Sequence, residues 1–416
     1  MVGLGRSGGA LARYLDRQGV RVRIVDADPN RVPESDLPEG AEVRLGGYGS
    51  DDLEGCQGLF LSPGVPWNCD LAEQARARDI PVSSETDLFL KLCPAPVVGV
   101  TGTNGKTTTT AMIGAVLGAG PRPVVVGGNI GVPMLDGLDE LTPEHWVVLE
   151  LSSFQLESAE RPRPRIAVVL NVTPDHLDRH GDMAGYVAAK SRIVRFQEPG
   201  DDAVLNGLDP TCRTLAQQTR ARVTWFDRHR PLPPCGLPGR HNLQNALAAA
   251  AVGRLAGIGD DAAAAALAAF PGVEHRLEMV GDWGGVRWYN DSKATNSAAS
   301  LMALEAFDAE PVVLIAGGRD GGFDLDPWIS AVRLRTVAVV LMGESSRRVG
   351  ERLEDHPHVL VEGLDAAVAA AADLVRPGGV VLFSPAFKSF DMFRDFEDRG
   401  RQFKAAVRAA LAAPAG

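Results

Sequence analysis

The run Val97-Val-Gly-Val-Thr-Gly-Thr-Asn-Gly-Lys-Thr-Thr108 carries residue types that bind a polyphosphate. An apolar strand runs into a Gly-rich loop ending in Gly105-Lys106-Thr107, and a helical stretch follows. Across Gly102, Thr103, Asn104, Gly105 and Thr108, successive backbone N–H groups and the helix N-terminus can surround phosphates, Lys106 supplies a point charge, and the Thr107 hydroxyl can ligate Mg²⁺. ATP is the implied ligand. The loop departs from the strict G-x-x-x-x-G-K-[ST] pattern, because Val100 stands where the first glycine belongs and Gly99 comes one residue early. A chance Gly-rich turn is the competing reading, and the strand before it and helix after it weigh against that.

Three more stretches carry groups suited to chemistry. Glu150 closes the apolar run Trp146–Leu151, and α/β sheets place ligand-facing groups at such strand ends. It is placed to hold a metal, although a lone Glu there more often caps a helix or is a solvated charge. In Asn171-Val-Thr-Pro-Asp-His-Leu-Asp178, His176 beside carboxylates suits a hard cation or a proton relay; a surface turn with a capping Asp is the alternative. His176 and His180 at i, i+4 spacing could also start a zinc site, but no Cys/His cluster completes a tetrahedron. Lys190, in the helical stretch Tyr186–Ile193, reads as an ordinary surface lysine with a snorkelling stem.

At the N-terminus, Gly3-Leu-Gly-Arg-Ser-Gly8, with Asp26 closing the short strand Val22–Val25, reads as a dinucleotide-binding fingerprint, which admits an NAD-dependent oxidoreductase. Only Met1 and Val2 remain of the strand that should precede this loop, which points to a misplaced start codon or a trimmed chain.

The elements that must position these groups alternate along the chain. Short β-branched runs are interleaved with Ala/Leu/Arg-rich helical stretches, the pattern of α/β units with mostly parallel sheets. Residues 1–92 form a first block. Cys93-Pro94-Ala95-Pro96 reads as a linker. The block 93–272 holds strands at Val97–Thr101, Trp146–Leu151 and Ile166–Asn171, a Pro-rich loop at Pro231–Pro238, and Ala-rich helices at Asn245–Leu255 and Asp261–Phe270, the last stopped by Pro271-Gly272. The block 273–416 has buried-type strands at Pro311–Ala316, Thr336–Leu341 and Val380–Ser384. A length of 416 residues allows this many cores.

Composition excludes several classes. Apolar residues at 45% and charged residues at 23% are those of a soluble globular chain. A net charge of −11 without a local basic patch argues against nucleic-acid binding. The five cysteines, an odd number with no C-x-x-C pair, argue against a disulfide framework and a Cys-based zinc site, and fit a reducing cytosol. No apolar run approaches the roughly 20 residues that span a bilayer. A cytoplasmic protein without membrane insertion is expected.

Thr101-Gly-Thr-Asn-Gly-Lys-Thr107 resembles the ATP loop of the Mur ligases and the related folylpolyglutamate synthetases, which activate a carboxylate as an acyl phosphate. Glu150-Leu-Ser-Ser-Phe-Gln-Leu156 is most similar to the D-glutamate-adding branch of the Mur ligases. That resemblance implies three α/β domains: a Rossmann-like UDP-binding domain over 1–92, a P-loop-type ATPase over 93–272, and a Rossmann-like amino-acid and nucleotide domain over 273–416. It implies ATP and Mg²⁺, with two ions, as cofactors; UDP-N-acetylmuramoyl-L-alanine and D-glutamate as substrates; and a monomer whose domains close over the site.

Residue by residue, the resemblance implies Mg²⁺ on Thr107 and Glu150, a second Mg²⁺ near His176, and a CO₂-derived carbamate on Lys190. Asn129, in Gly127-Gly-Asn-Ile-Gly131, would lie near phosphate and substrate. Arg6, Ser7 and Asp26 would meet uracil and diphosphate, with Ser62-Pro-Gly64 as a second UDP loop. In the last block, Asn290-Asp-Ser-Lys-Ala-Thr-Asn296 and Ser384–Gly400 match family segments. Asn245 and Asp291 would meet the nucleotide, Arg276 and Lys293 the phosphates, and Thr295, Ser389 and Phe396 the amino acid. For Arg276 and Lys293 taken singly, a solvated ion pair is the plain alternative. Two positions depart from the family: Gly321 stands where a lysine usually meets the D-glutamate side chain, and Lys388 where a small residue is usual. Arg319 or Lys388 could supply the missing charge, or the acceptor could be another amino acid. A folylpolyglutamate synthetase would share the ATP loop and lack the UDP domain.

Overall fold

The computed structural model describes residues 1–33, 36–129, 133–227, 235–322 and 324–411, so Ile130 and Gly131 of the Asn129 segment and residues 231–234 of the Pro-rich loop lie outside the described residues. The chain forms two compact units, Met1–Pro234 with Gln244–Ala268, and Cys235–Leu243 with Ala269–Gly416.

The first unit opens with two short parallel pairs, Arg23–Asp26 with Glu42–Leu45 and Leu59–Phe60 with Val82–Ser83. Val2 bridges in parallel to both Val25 and Leu61 and so joins the pairs into one layer. Met1 and Val2 thus lie between the two pairs: Val2 N–H donates to Phe60 O at 2.8 Å and Gly3 N–H to Val25 O at 2.8 Å. The helix Arg6–Arg17 follows directly and buries Ala10, Leu11 and Ala12.

The same unit holds a six-stranded sheet in the order Arg222–Phe226, Asp202–Asn206, Ile166–Val169, Val97–Thr101, Trp146–Glu150, Val124–Gly128. Every neighbouring pair is parallel. Val97–Thr101, Trp146–Glu150 and Ile166–Val169 are buried throughout, which is why each reads as an unbroken apolar run. The helix expected from Asn245 starts earlier, at Arg240, and runs to Leu255.

The second unit has a six-stranded sheet ordered Glu278–Trp283, Val286–Asn290, Val380–Phe383, Val312–Ala316, Ala338–Leu341, His358–Leu360. The pairing of Glu278–Trp283 with Val286–Asn290 is antiparallel; the other pairings are parallel. Trp328, Phe307 and Leu304 fill one side of this sheet and Phe403, Val368 and Ala371 the other. Among the described residues no helix is long and apolar enough to cross a membrane.

Candidate active site

Val97–Thr101 lies between Trp146–Glu150 and Ile166–Val169, so the carboxyl ends of three adjacent strands bring the Gly-rich loop, Glu150 and the Asn171–His176 segment to one edge. The helix Lys106–Gly118 begins at Gly105, which has no side chain to cap it. The first N–H groups of any α-helix lack intrahelical acceptors and carry the positive end of its dipole, so this end is built for an anion. The loop is pinned from the neighbouring strand: Thr103 N–H donates to Asn171 O at 2.9 Å, Asn104 N–H to Asn171 Oδ1 at 2.8 Å, and Asn171 Nδ2 to Asn104 O at 3.1 Å. Lys106 Nζ donates to Gly102 O at 3.0 Å and Thr103 O at 2.8 Å. Thr107 and Thr108 are each 5% exposed.

Gly105 has φ +82, and a Cβ there would stand 2.5 Å from Asn245 Oδ1. The glycine therefore lets the loop pass against Asn245, which is itself buried. Gly105→Ala is expected to raise the KM for ATP about tenfold and lower stability by about 1–2 kcal/mol, since a side chain in the left-handed region and a displaced Asn245 both cost free energy. ATP titration and urea melts check this; an unchanged KM would show that Asn245 yields without moving the loop.

Glu150 is 2% exposed. Its Oε1 accepts from Asn129 Nδ2 at 2.9 Å, and its Oε2 is buried with no partner. A buried carboxylate oxygen without a donor is costly, and a hard cation is the natural completion. That observation makes Glu150 fit a bound Mg²⁺. Asn129 N–H also donates to Glu150 O, at 2.9 Å.

Lys190 is not the surface lysine its helical setting suggested. It is 1% exposed, because the helix Met183–Arg195 turns the face carrying Tyr186, Lys190 and Val194 inward. Its Nζ donates to Gly102 O at 2.8 Å and lies 3.5 Å from Thr101 Oγ1, over the Tyr186 ring. Burial first, and then the charge of Lys106, hold its amine down at about 7.

His176 has φ 51 and a half-exposed side chain 3.5 Å from Asp175. Its ring packs 5.0 Å from Phe154, whose other neighbours are the His180 ring at 5.4 Å and the Arg179 guanidinium at 5.1 Å. His180 Nε2 is spent on Ser153 Oγ at 3.0 Å, so the i, i+4 histidines do not act as a pair.

In the N-terminal turn, Asp26 Oδ2 accepts Leu4 N–H at 2.7 Å and Oδ1 accepts Asp28 N–H at 2.9 Å, so this carboxylate holds the turn in shape. Ser62 Oγ donates to Gly3 O at 3.0 Å, which brings the Ser62–Gly64 loop beside the turn. Arg6 and Gly64 are exposed and Ser7 is half-buried.

In the second unit, Asp291 follows the strand Val286–Asn290. Its Oδ2 accepts from Ser384 Oγ at 2.7 Å and its Oδ1 from Leu277 N–H at 3.2 Å, and burial pushes its carboxyl up to about 7. Arg276 Nε is buried with no hydrogen-bond partner, which does not fit a solvated ion pair. It sits between two left-handed residues, His275 at φ 63 and Leu277 at φ 45. Lys293 Nζ lies over the Phe396 ring at 5.6 Å, and Thr295 N–H donates to Lys293 O at 2.9 Å. Ser389 is 2% exposed, with its carbonyl accepting from Met392 and Phe393 N–H. Gly318, at φ +145, leaves no room for a Cβ, which would be 2.4 Å from Lys388 O. This closeness lets Arg319 bridge to Lys388, with both side chains exposed.

The description Mur ligase MurD-like N-terminal domain matches residues 1–84, Mur ligase middle domain matches 100–231, and Mur ligase glutamate ligase domain matches 275–387. A UDP-N-acetylmuramoylalanine–D-glutamate ligase of Pelotomaculum thermopropionicum is 41% identical, covering 98% of this chain and 96% of its own. The chain belongs to the Mur ligase family. The enzyme of the same name from Symbiobacterium thermophilum is 42% identical, over 98% of this chain and 97% of its own. The crystal structure of UDP-N-acetylmuramate-alanine ligase MurC from Thermotoga maritima shares the fold, with a TM-score of 0.62 at 21% identity over 98% of both chains. The three-domain α/β architecture of the Mur ligases is therefore that of this chain, and the oxidoreductase reading of the N-terminal glycines falls away.

In this Mur ligase three residues that sequence reasoning left without a role make site contacts. Asn171 clamps the Gly-rich loop at Thr103 and Asn104. Tyr186 lies under Lys190, its hydroxyl 3.2 Å from Thr103 Oγ1. Arg399, fully buried, donates to Ser292 Oγ, Ser292 O and Phe387 O, tying the Asp291–Thr295 loop to the Ser384–Ser389 segment. The signal was a charged residue in a segment already matched to the family; which contacts it makes lies beyond sequence.

Proposed function

We propose that this Mur ligase joins D-glutamate to the alanyl carboxylate of UDP-N-acetylmuramoyl-L-alanine in peptidoglycan precursor synthesis, with ATP converted to ADP and phosphate. The observation that carries the reading is the partnerless Glu150 Oε2 at the strand end paired with Val100, beside the uncapped helix N-terminus at Gly105. The names of the relatives supply the substrates.

In this reading the N–H groups of residues 105–108 hold the ATP phosphates, and Lys106 leaves the Gly102 and Thr103 carbonyls for the γ-phosphate. A carboxylate oxygen of the alanyl group attacks the γ-phosphorus, the bond to ADP breaks, and an acyl phosphate forms. The amine of D-glutamate then attacks the acyl carbon, phosphate leaves with the C–O bonding pair, and the nitrogen loses its proton. Mg²⁺, when bound, offsets charge between the phosphates and the carboxylate. Thr107 and Glu150 would hold it, with His176 and Lys190 for a second ion. Asn129 orients Glu150. Arg6, Ser7, Asp26, Ser62 and Gly64 serve the uridine diphosphate; Asn245, Arg276, Asp291 and Lys293 the nucleotide; Thr295, Ser389 and Phe396 the amino acid. Arg319 and Lys388, side by side across their bridge, stand in for the lysine absent at Gly321. A cytoplasmic monomer completes the reading.

Phosphate release with ATP, Mg²⁺ and UDP-N-acetylmuramoyl-L-alanine is measured against D-glutamate, L-glutamate, D-lysine and glycine. Release with D-glutamate alone is expected; none with any acceptor sinks the assignment. Lys190, enclosed against Thr101 and Gly102, is assigned the carbamate. Bicarbonate is expected to raise the rate of CO₂-depleted enzyme several-fold and to leave Lys190→Ala unmoved. A bicarbonate-insensitive wild type together with full activity in Lys190→Ala would remove the carbamate from the scheme.

A further inference from the structure

We infer that Arg179 is a positioning residue that ties the Ser62–Val65 loop to the His176 turn, so that the nucleotide-sugar side of the site sets the place of His176. This rests on the proposed function for what occupies each end.

The contacts form a continuous line. Ser62 Oγ donates to Gly3 O at 3.0 Å, and Val65 N–H donates to Ser62 O at 2.9 Å, so the Val65 carbonyl is held by the N-terminal turn. Arg179 Nη2 donates to that carbonyl at 2.9 Å, across 114 residues of sequence, and lies 3.4 Å from Glu157 Oε2. The guanidinium stands over Phe154 at 5.1 Å, and Phe154 meets the His176 ring at 5.0 Å and stacks on His180 at 5.4 Å. Arg179 is only 16% exposed on its side chain, so this is an enclosed cation and not a solvated surface pair.

His176 needs such support. A non-glycine residue at φ 51 is held in a sparsely populated conformation by its surroundings. Locally, Asp175 Oδ1 accepts its N–H at 3.0 Å, and the helix it starts is a single turn, Leu177–His180. The ring itself lies 3.5 Å from Asp175 Oδ2 and edge-on to Tyr186 at 6.4 Å, and its nearest aromatic neighbour is Phe154 at 5.0 Å, the ring on which Arg179 packs. Only a planar guanidinium can lie on a ring while its edge bonds a carbonyl and a carboxylate, so lysine is no substitute here.

The test uses full-length enzyme and steady-state phosphate release, with KM for UDP-N-acetylmuramoyl-L-alanine and for ATP measured separately and melting temperatures recorded. Arg179→Lys is expected to raise the KM for the nucleotide sugar about tenfold and leave the KM for ATP within about twofold. Phe154→Leu is expected to lower kcat about tenfold. Because both act through one line of contacts, Arg179→Lys with Phe154→Leu is expected to lose less in kcat/KM than the product of the two single losses. Unchanged KM values in Arg179→Lys, a rise in both KM values together with a lower melting temperature, or multiplicative losses in the double variant would each overturn the inference while leaving the ligase reading intact. Absence of phosphate release in the wild type would instead overturn the proposed function, and this inference with it.

Discussion

Glu150→Gln is expected to lower kcat about a thousandfold and at the same time to raise the melting temperature. The two effects have one cause. Glu150 is 2% exposed, with one oxygen satisfied by Asn129 Nδ2 and the other partnerless. A buried carboxylate oxygen without a donor is destabilising, and replacing the carboxylate by a neutral isostere returns about 1 kcal/mol in the absence of Mg²⁺. The amide keeps an oxygen for Asn129 and places an NH₂ where Oε2 stands, a donor where a cation requires an acceptor. Melts without Mg²⁺ and turnover at saturating Mg²⁺ check both halves. A variant that loses activity and stability together would make Glu150 a structural residue of the sheet.

That opposition of stability and function also explains what the sequence could reveal. Val97–Thr101, Val312–Ala316 and Val380–Phe383 are buried on both faces, so composition alone marks them as interior strands. Glu278–Trp283 at the edge of its sheet has no fully buried residue and is broken by a bulge between Met279 and Gly281, Glu42–Leu45 is exposed throughout, and Val2 joins two strand pairs as a single residue. None offers a periodic signal long enough to read. The helix beginning at Arg240 is legible only from Asn245, because its first turn, Arg-His-Asn-Leu, holds one apolar residue and Ala enters later.

Within the site, the loop from Gly102 to Thr108 was legible because glycine, lysine and threonine at that spacing follow from the needs of a phosphate. Lys190 was not, since a lysine in a helix is solvated unless tertiary packing turns its face inward. Here Ala189, Lys190 and Ser191 are all buried. The roles of Asn171 and Arg399 depend on partners 67 and 107 residues away, which no local pattern encodes.

Lys106→Ala is expected to lower kcat/KM for ATP about a thousandfold with little change in stability. Two of the contacts Lys106 makes are to Gly102 O and Thr103 O, carbonyls of the loop it closes. Removing it does not release the loop, because Thr103 and Asn104 N–H groups remain bonded to Asn171 and Gly105 still opens the helix. What is lost is the mobile charge that can exchange those carbonyls for a phosphate, and the backbone N–H groups cannot replace it, since a ring of dipoles binds phosphate without following the charge as it moves to the acceptor. ATP binding and turnover in Lys106→Ala therefore separate the two devices. Affinity should fall modestly, because the helix N-terminus still holds the phosphates, and the rate should collapse. Equal losses in affinity and rate would mean that Lys106 grips ATP uniformly and does not favour its transfer.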